Sequence, residues 1–363
     1  MLDRRLIKNF DMWLVIICLL LGCAGIASIY STTHFMKDSD LFLRQIMWLG
    51  MGLLAMFVTT LFNYRTIKRW AYIIYGLSII LLVAVIFIGK SALGAQRWLM
   101  LGPFSFQPSE FAKLALFVAL AKYLTPETME RKRFYSRDLF ICLILFIIPF
   151  LLIMKQPDLG SALVLIPGFI AMLYFAGAGI KYLLALLGIG AGISPVVWLF
   201  LKDYQKARLF VFFNPNMDPL GAGYHLAQSK ITIGSGKLLG KGFLMGTQTQ
   251  LRFLPKQHTD FIFSVIGEEF GFIGVSCVLI LYLLIIYRSM RATLTGDLFG
   301  RLLVVGIISG IIFQIFVNIG MSTGIMPVTG IPLPFLSYGG SSLIFTFIGI
   351  GLILNIRMRN FMF

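Results

Sequence analysis

Residues 71–89 read AYIIYGLSIILLVAVIFIG, nineteen positions without a Lys, Arg, Asp or Glu. At a rise of about 1.5 Å per residue such a helix covers about 28 Å, close to the hydrocarbon thickness of a bilayer. Basic residues precede it at Arg65, Lys68 and Arg69, and Lys90 follows it. Apolar runs of similar length lie at about 12–30, 45–62, 108–124, 139–154, 161–178, 182–200, 261–287, 302–323 and 335–355. The fifth and sixth contain prolines, Pro149 and Pro167. Over the whole chain 58% of residues are hydrophobic and 13% charged, against about 25% charged in a soluble domain. The expected fold is therefore all-α: a polytopic membrane bundle of about ten transmembrane helices. No repeat, linker or low-complexity segment divides residues 1–363, so one integral membrane domain is expected.

Lys and Arg set the orientation. With the N-terminus in the cytoplasm, the inner segments hold 17 basic residues (Arg4, Arg5, Lys8, Arg65, Lys68, Arg69, Lys122, Arg131, Lys132, Arg133, Arg137, Lys181, Arg288, Arg291, Arg301, Arg357 and Arg359). The short outer loops hold five: Lys37, Arg44, Lys90, Arg97 and Lys155. The positive-inside rule then puts both termini in the cytoplasm and the long segment 201–260, between helices seven and eight, outside. That loop carries eight basic residues against Asp203, Asp218 and Asp260. Two readings of its charge stand: a solvated loop near anionic headgroups, or a site for an anionic substrate. The net charge of +16 follows from topology, and the dispersed basic residues give no reason to invoke nucleic acid.

Arg4, Arg5 and Lys8 ahead of Leu20, Leu21, Gly22 and Cys23 resemble a signal peptide, but the apolar run continues to Tyr30, as a span does. Cys18, Cys23, Cys142 and Cys277 all fall in apolar helices without metal-ligand spacing and read as core or lipid-facing residues. His34 and His225 are isolated, and no nucleotide-binding motif stands in a suitable context, which argues against an ATP-driven pump.

Three segments break the helical pattern: 94–107 (GAQRWLMLGPFSFQ), the 201–260 loop and 320–342 (GMSTGIMPVTGIPLPFLSYGGSS). All lie outside in this topology, and irregular backbone at membrane depth survives only where it lines protein or water. The outer half is expected to hold a polar cavity. Five of the fifteen acids stand at outer helix ends: Glu110, Asp158, Asp260, Glu268 and Glu269. Glu110 and Lys113, spaced i, i+3 behind Pro108, share a helix face. The pair can be a helix-start acid with a neutralising lysine, or can hold Lys113 toward a phosphate. Asp158 can cap the sixth helix. Asp260 follows Arg252, Lys256 and His258, an electropositive setting for holding an anion beside a carboxylate, and an ionisable group at a membrane boundary is a functional candidate. Glu268 and Glu269 lie farther along the same helix, and their divergence of about 100° sends one toward the cavity and the other toward a neighbour.

The strings GAQRWLMLGPFSFQPSEFAK, KQPDLGSA, GKGFLMGTQTQLRFLPKQHTDFIFSVIGEEFG and PLPFLSYGGSS closely resemble the SEDS family (shape, elongation, division and sporulation). The resemblance runs from the first helix to the tenth. KQPDLG, FLPKQHTDF and the short N-terminus favour the elongation branch, RodA. The division branch usually has a Lys in the loop before the last helix, where this chain has Thr329. The resemblance implies a peptidoglycan glycosyltransferase polymerising lipid II on the outer face of the bacterial cytoplasmic membrane during elongation. It implies a class B penicillin-binding protein as transpeptidase partner, with other membrane proteins of the elongation complex. It carries the catalytic role to Asp260 and cavity roles to Glu110, Lys113 and Asp158. Arg252 and His258 complete the expected substrate-binding set. The leaving pyrophosphate needs positive charge, from Lys113, Arg252 or a divalent cation, Mg or Mn, bridging to an acid. A transporter that flips a polyprenyl-linked sugar is the alternative, since broken helices and polar groups fit that class too.

Overall fold

The computed structural model describes residues 9–34, 40–92, 95–102, 104–125, 134–214, 218, 221–294 and 297–359. Of the residues named above, Arg4, Arg5, Lys8, Lys37, Arg131, Lys132 and Arg133 lie outside the described residues.

A helix stands at each of the ten apolar runs. They are α1 (Met12–Thr33), α2 (Asp40–Leu61), α3 (Tyr64–Ile88), α4 (Pro108–Leu124), α5 (Ser136–Lys155), α6 (Leu159–Phe175), α7 (Ile180–Phe200), α11 (Ile262–Arg291), α12 (Leu298–Thr323) and α13 (Gly340–Met358). Eight are long and apolar enough to cross a membrane. The other two, α4 and α6, have 17 residues each, about 25 Å of helix. Polar side chains start several of them: Asp11 accepts from the Leu14 amide, Asn63 from Arg65 and Asp297 from Gly300. Each satisfies an amide that the first helical turn leaves without an intrahelical partner.

Two of the three segments that break the helical pattern are more ordered than their sequence suggests. Residues 90–106 form a three-stranded antiparallel meander, β1 (Lys90–Ala92), β2 (Ala95–Leu101) and β3 (Phe104–Phe106), in the order β1-β2-β3. Strands this short carry too little alternation to be read from sequence, and Gly102, at φ 65°, makes the turn between the last two. The 201–260 segment holds three helices, α8 (Asp203–Phe213), α9 (Ala222–Ser235) and α10 (Thr247–Gln250).

One apolar cluster runs through the bundle, with Leu21 of α1, Leu116 and Phe117 of α4, Leu165 of α6, Ile262 of α11, Leu303 of α12 and Ile353 of α13 all buried. At one end of the bundle Asp11 pairs with Arg288 (2.8 Å) and Arg357, joining α1, α11 and α13. Residues of all three irregular segments gather at the other end, where Trp98, His258 and Pro332 line one cavity.

There α11 is broken. Gly271 has φ 62° and ψ −159°, and the backbone of 237–242 fills the break. The amides of Lys241 and Gly242 donate to the carbonyls of Glu268 and Glu269 (3.0 Å each), and those of Phe272 and Ile273 donate to Lys237 and Leu238 (2.9 and 3.2 Å). A side chain at 271 would lie 2.6 Å from the Leu238 carbonyl oxygen, so conformation and space both require glycine.

Candidate active site

A cavity of about 390 Å³ opens at this end. Asp260 borders it from the segment leading into α11, Glu110 from the first turn of α4 and Asp158 from the N-cap of α6. Arg97 of β2, Arg208 of α8, Lys256 and His258 complete its charged lining. Three carboxylates that the chain keeps up to about 150 positions apart thus meet three permanent cations in one chamber. Gln107, Gln314, Thr329 and Tyr338 add neutral hydrogen-bonding groups.

Each acid is held differently. Asp158 is buried and caps α6 through the Ser161 amide (3.3 Å). It also accepts from Gln107 Nε2 (3.2 Å) and faces Arg97 Nη1 at 3.5 Å. Asp158 thus caps the helix and borders the cavity at once. Glu110 is bound to Lys113 at 2.8 Å, both side chains buried. Lys113 does not border the large cavity. It faces a smaller pocket of about 40 Å³ beneath, shared with Glu110 and Gln314 and walled by Phe117, Ile307 and Phe345. A lysine there needs its carboxylate, because an unpaired charge in an apolar setting is costly.

Asp260 is the least restrained of the three. Its nearest cation, Lys256, lies at 4.0 Å, beyond hydrogen-bond range. Its main chain is fixed instead. The carbonyls of His258, Thr259 and Asp260 accept from the Tyr338 amide (2.9 Å), Ser337 Oγ (2.6 Å) and Asn318 Nδ2 (3.0 Å). The segment 331–338, read above as part of an irregular stretch, is thus a brace for the acid. Gly330, at φ 74°, brings this brace close: a Cβ there would stand 3.4 Å from Asp260 Oδ2 and 3.9 Å from Arg208 Nη1.

His258 lies half-buried beside Tyr338, ring centroids 6.1 Å apart. Burial lowers its pKa from the ordinary 6.5, while the Asp260 charge pulls the other way. Burial likewise lowers His225, with the charges of Lys256 and Arg208 acting in the same direction. Both imidazoles are accordingly biased toward the neutral form.

Of the expected substrate-binding residues, Glu110, Asp158 and His258 border the cavity with Asp260. Lys113 sits one layer below, and Arg252 is exposed and outside the lining. Glu268 and Glu269 face away from it: Glu268 binds Lys241 and α10, and Glu269 accepts from Ser31 of α1. Arg97 and Arg208 contribute the charge expected of Arg252. Among the described residues no three His, Cys, Asp or Glu side chains converge to hold a metal ion.

A polytopic helical membrane protein with a charged chamber at one end of its bundle is the class that fold and site define. The family model described as cell cycle protein, covering FtsW, RodA and SpoVE, matches residues 8–361, and the chain belongs to that family. Peptidoglycan glycosyltransferase MrdB of Escherichia coli K12 is 42% identical over 323 residues, 88% of this chain and 86% of that protein. A chain solved in a peptidoglycan synthase complex, in a study of coordinated polymerization and crosslinking, is 35% identical. It superposes with a TM-score of 0.83, covering 97% of this chain and 98% of that one. Rod shape determining protein RodA of Thermus thermophilus is 33% identical with a TM-score of 0.73, covering 97% of this chain and 98% of that one.

Proposed function

We propose that this chain is a peptidoglycan glycosyltransferase that polymerises lipid II on the outer face of the cytoplasmic membrane, in the elongation branch of its family. The observation carrying this reading is the chamber in which Asp260 stands with Arg208 and Lys256, an acid beside cations at the mouth of a membrane bundle. Both termini are cytoplasmic in this reading, which rests on the 17 to five distribution of basic residues.

The 4-hydroxyl of one lipid-linked disaccharide attacks C1 of the growing strand. The C1–oxygen bond to the diphosphate breaks, the hydroxyl proton passes to the Asp260 carboxylate, and undecaprenyl diphosphate leaves with inversion from α to β. An alcohol is a weak nucleophile, and a positioned base contributes about 10²- to 10⁴-fold. Arg208, Lys256 and Arg97 supply positive charge to the leaving diphosphate in a partly enclosed site, where such charge counts for more than in water. A divalent cation shared with the diphosphate would need only one or two of the acids Glu110, Asp158 and Asp260. A class B penicillin-binding protein is the proposed transpeptidase partner, which the relative solved in a synthase complex supports.

The test incubates purified protein and partner with labelled lipid II and resolves the glycans on a gel. Wild type is expected to make polymer and Asp260→Ala to lose it by at least about 10²-fold. Undiminished polymer from Asp260→Ala sinks the base assignment. Lipid movement across vesicles with no polymer under any cation or partner turns the reading to transport.

A further inference from the structure

We infer that Asn318 is a positioning residue that aims the Asp260 carboxylate, an assignment that rests on the reading of Asp260 as the base. Asn318 is fully buried on α12, one turn beyond Gln314, which borders the cavity. Its Nδ2 donates twice, to the Asp260 carbonyl (3.0 Å) and to the Ile331 carbonyl (2.7 Å). A primary amide is suited to this because it carries two protons on one nitrogen; a hydroxyl offers one and a carboxylate none. One side chain therefore ties the base-bearing segment, the 331–338 brace and a core helix together.

The tie matters because of what Asp260 lacks. Among the described residues no side chain hydrogen-bonds its carboxylate, and Lys256 stands 4.0 Å away. A general base must meet its proton within about 2.6–3.2 Å. With no side-chain bond to hold this one, the rotamers it can use reach the substrate only from where its backbone is fixed. That backbone is caught at three successive carbonyls, 258, 259 and 260, and every donor belongs to α12 or to 331–338. Ser337 takes part twice, donating to the Thr259 carbonyl and accepting from the Leu333 amide at 2.8 Å. Capturing three carbonyls in a row leaves the segment no freedom to pivot about a single bond.

The prediction separates aiming from binding. Asn318→Asp keeps the shape and removes both donors; Asn318→Gln keeps both donors on a longer stem; Ser337→Ala removes the neighbouring tie. In the lipid II polymerisation assay, Asn318→Asp lowers kcat by about 10²-fold, the cost typical of a misplacement of about 1 Å. KM stays within about threefold, since diphosphate contacts are untouched. Asn318→Gln recovers part of the loss, and Ser337→Ala lowers kcat by about tenfold at unchanged KM. A kcat within about threefold of wild type for Asn318→Asp, or a rise in KM with kcat intact, overturns the assignment. Should Asn318→Asp fail to fold, Ser337→Ala decides by the same two criteria. An inactive wild type or an active Asp260→Ala would instead overturn the function or the base on which this inference rests, so the failures are distinguishable.

Discussion

Replacing Glu268 by Gln tests how the 201–260 loop is held to α11. The Glu268 side chain is fully buried and accepts only. Oε1 takes Lys241 Nζ at 2.7 Å and the Gln248 amide at 2.8 Å, and Oε2 takes the Thr249 amide at 2.9 Å and Thr249 Oγ1 at 2.7 Å. A glutamine presents one oxygen and one NH₂, so either flip sets a donor against a backbone amide. One charge-assisted bond is lost, about 1.5–3 kcal/mol, and a buried N–H is stranded, about 1–3 kcal/mol more. The sum, about 2.5–6 kcal/mol, falls on α10 and its flanks rather than on the bundle. Hydrogen exchange of peptides covering 246–252, in detergent, should quicken by about 10²-fold or more at about 1.4 kcal/mol per decade. Peptides from α12 should not change, and Lys241→Met, which removes one donor only, should produce a smaller acceleration. Protection of 246–252 within about threefold of wild type in Glu268→Gln would refute the reasoning.

Gly330→Ala places a methyl 3.4 Å from Asp260 Oδ2 at a backbone φ of 74°; the strain is about 1–2 kcal/mol, and kcat in the polymerisation assay should fall about tenfold with the protein still folded. His258 gives a pH signature in thermal melts: its folded pKa lies below the 6.5 of the open chain, so its contribution is intact above about 6.5 and lost as pH falls toward the folded value. His258→Gln should flatten that acid limb below about pH 6.5, and an unchanged limb would remove His258 from the account.

Much of the bundle was legible because a span must satisfy its backbone internally and clothe it in apolar side chains. The run 71–89 became α3, residues 64–88, with only its first two turns missed. That Glu110, Asp158 and Asp260 would border one cavity was legible because acids are rare at membrane depth. Cations were not, since Arg208 and Arg252 look alike in a basic loop and only the fold turns the first inward. Asn318 gave no signal either, because one amide in an apolar helix looks the same whether it braces a neighbour or faces another helix. The pairing of 237–242 with 268–273 was hidden for another reason: neither partner contains the other's address in its local pattern.

That pairing constrains how the protein is made. Within the bilayer an unsatisfied backbone group costs several kcal/mol, and the break at Gly271 leaves amides and carbonyls that only residues 237–242 answer. The loop leaves the ribosome before the helix it completes. Formation of α11 is therefore a two-segment event, in which the span finishes its hydrogen bonding by docking on chain delivered ahead of it.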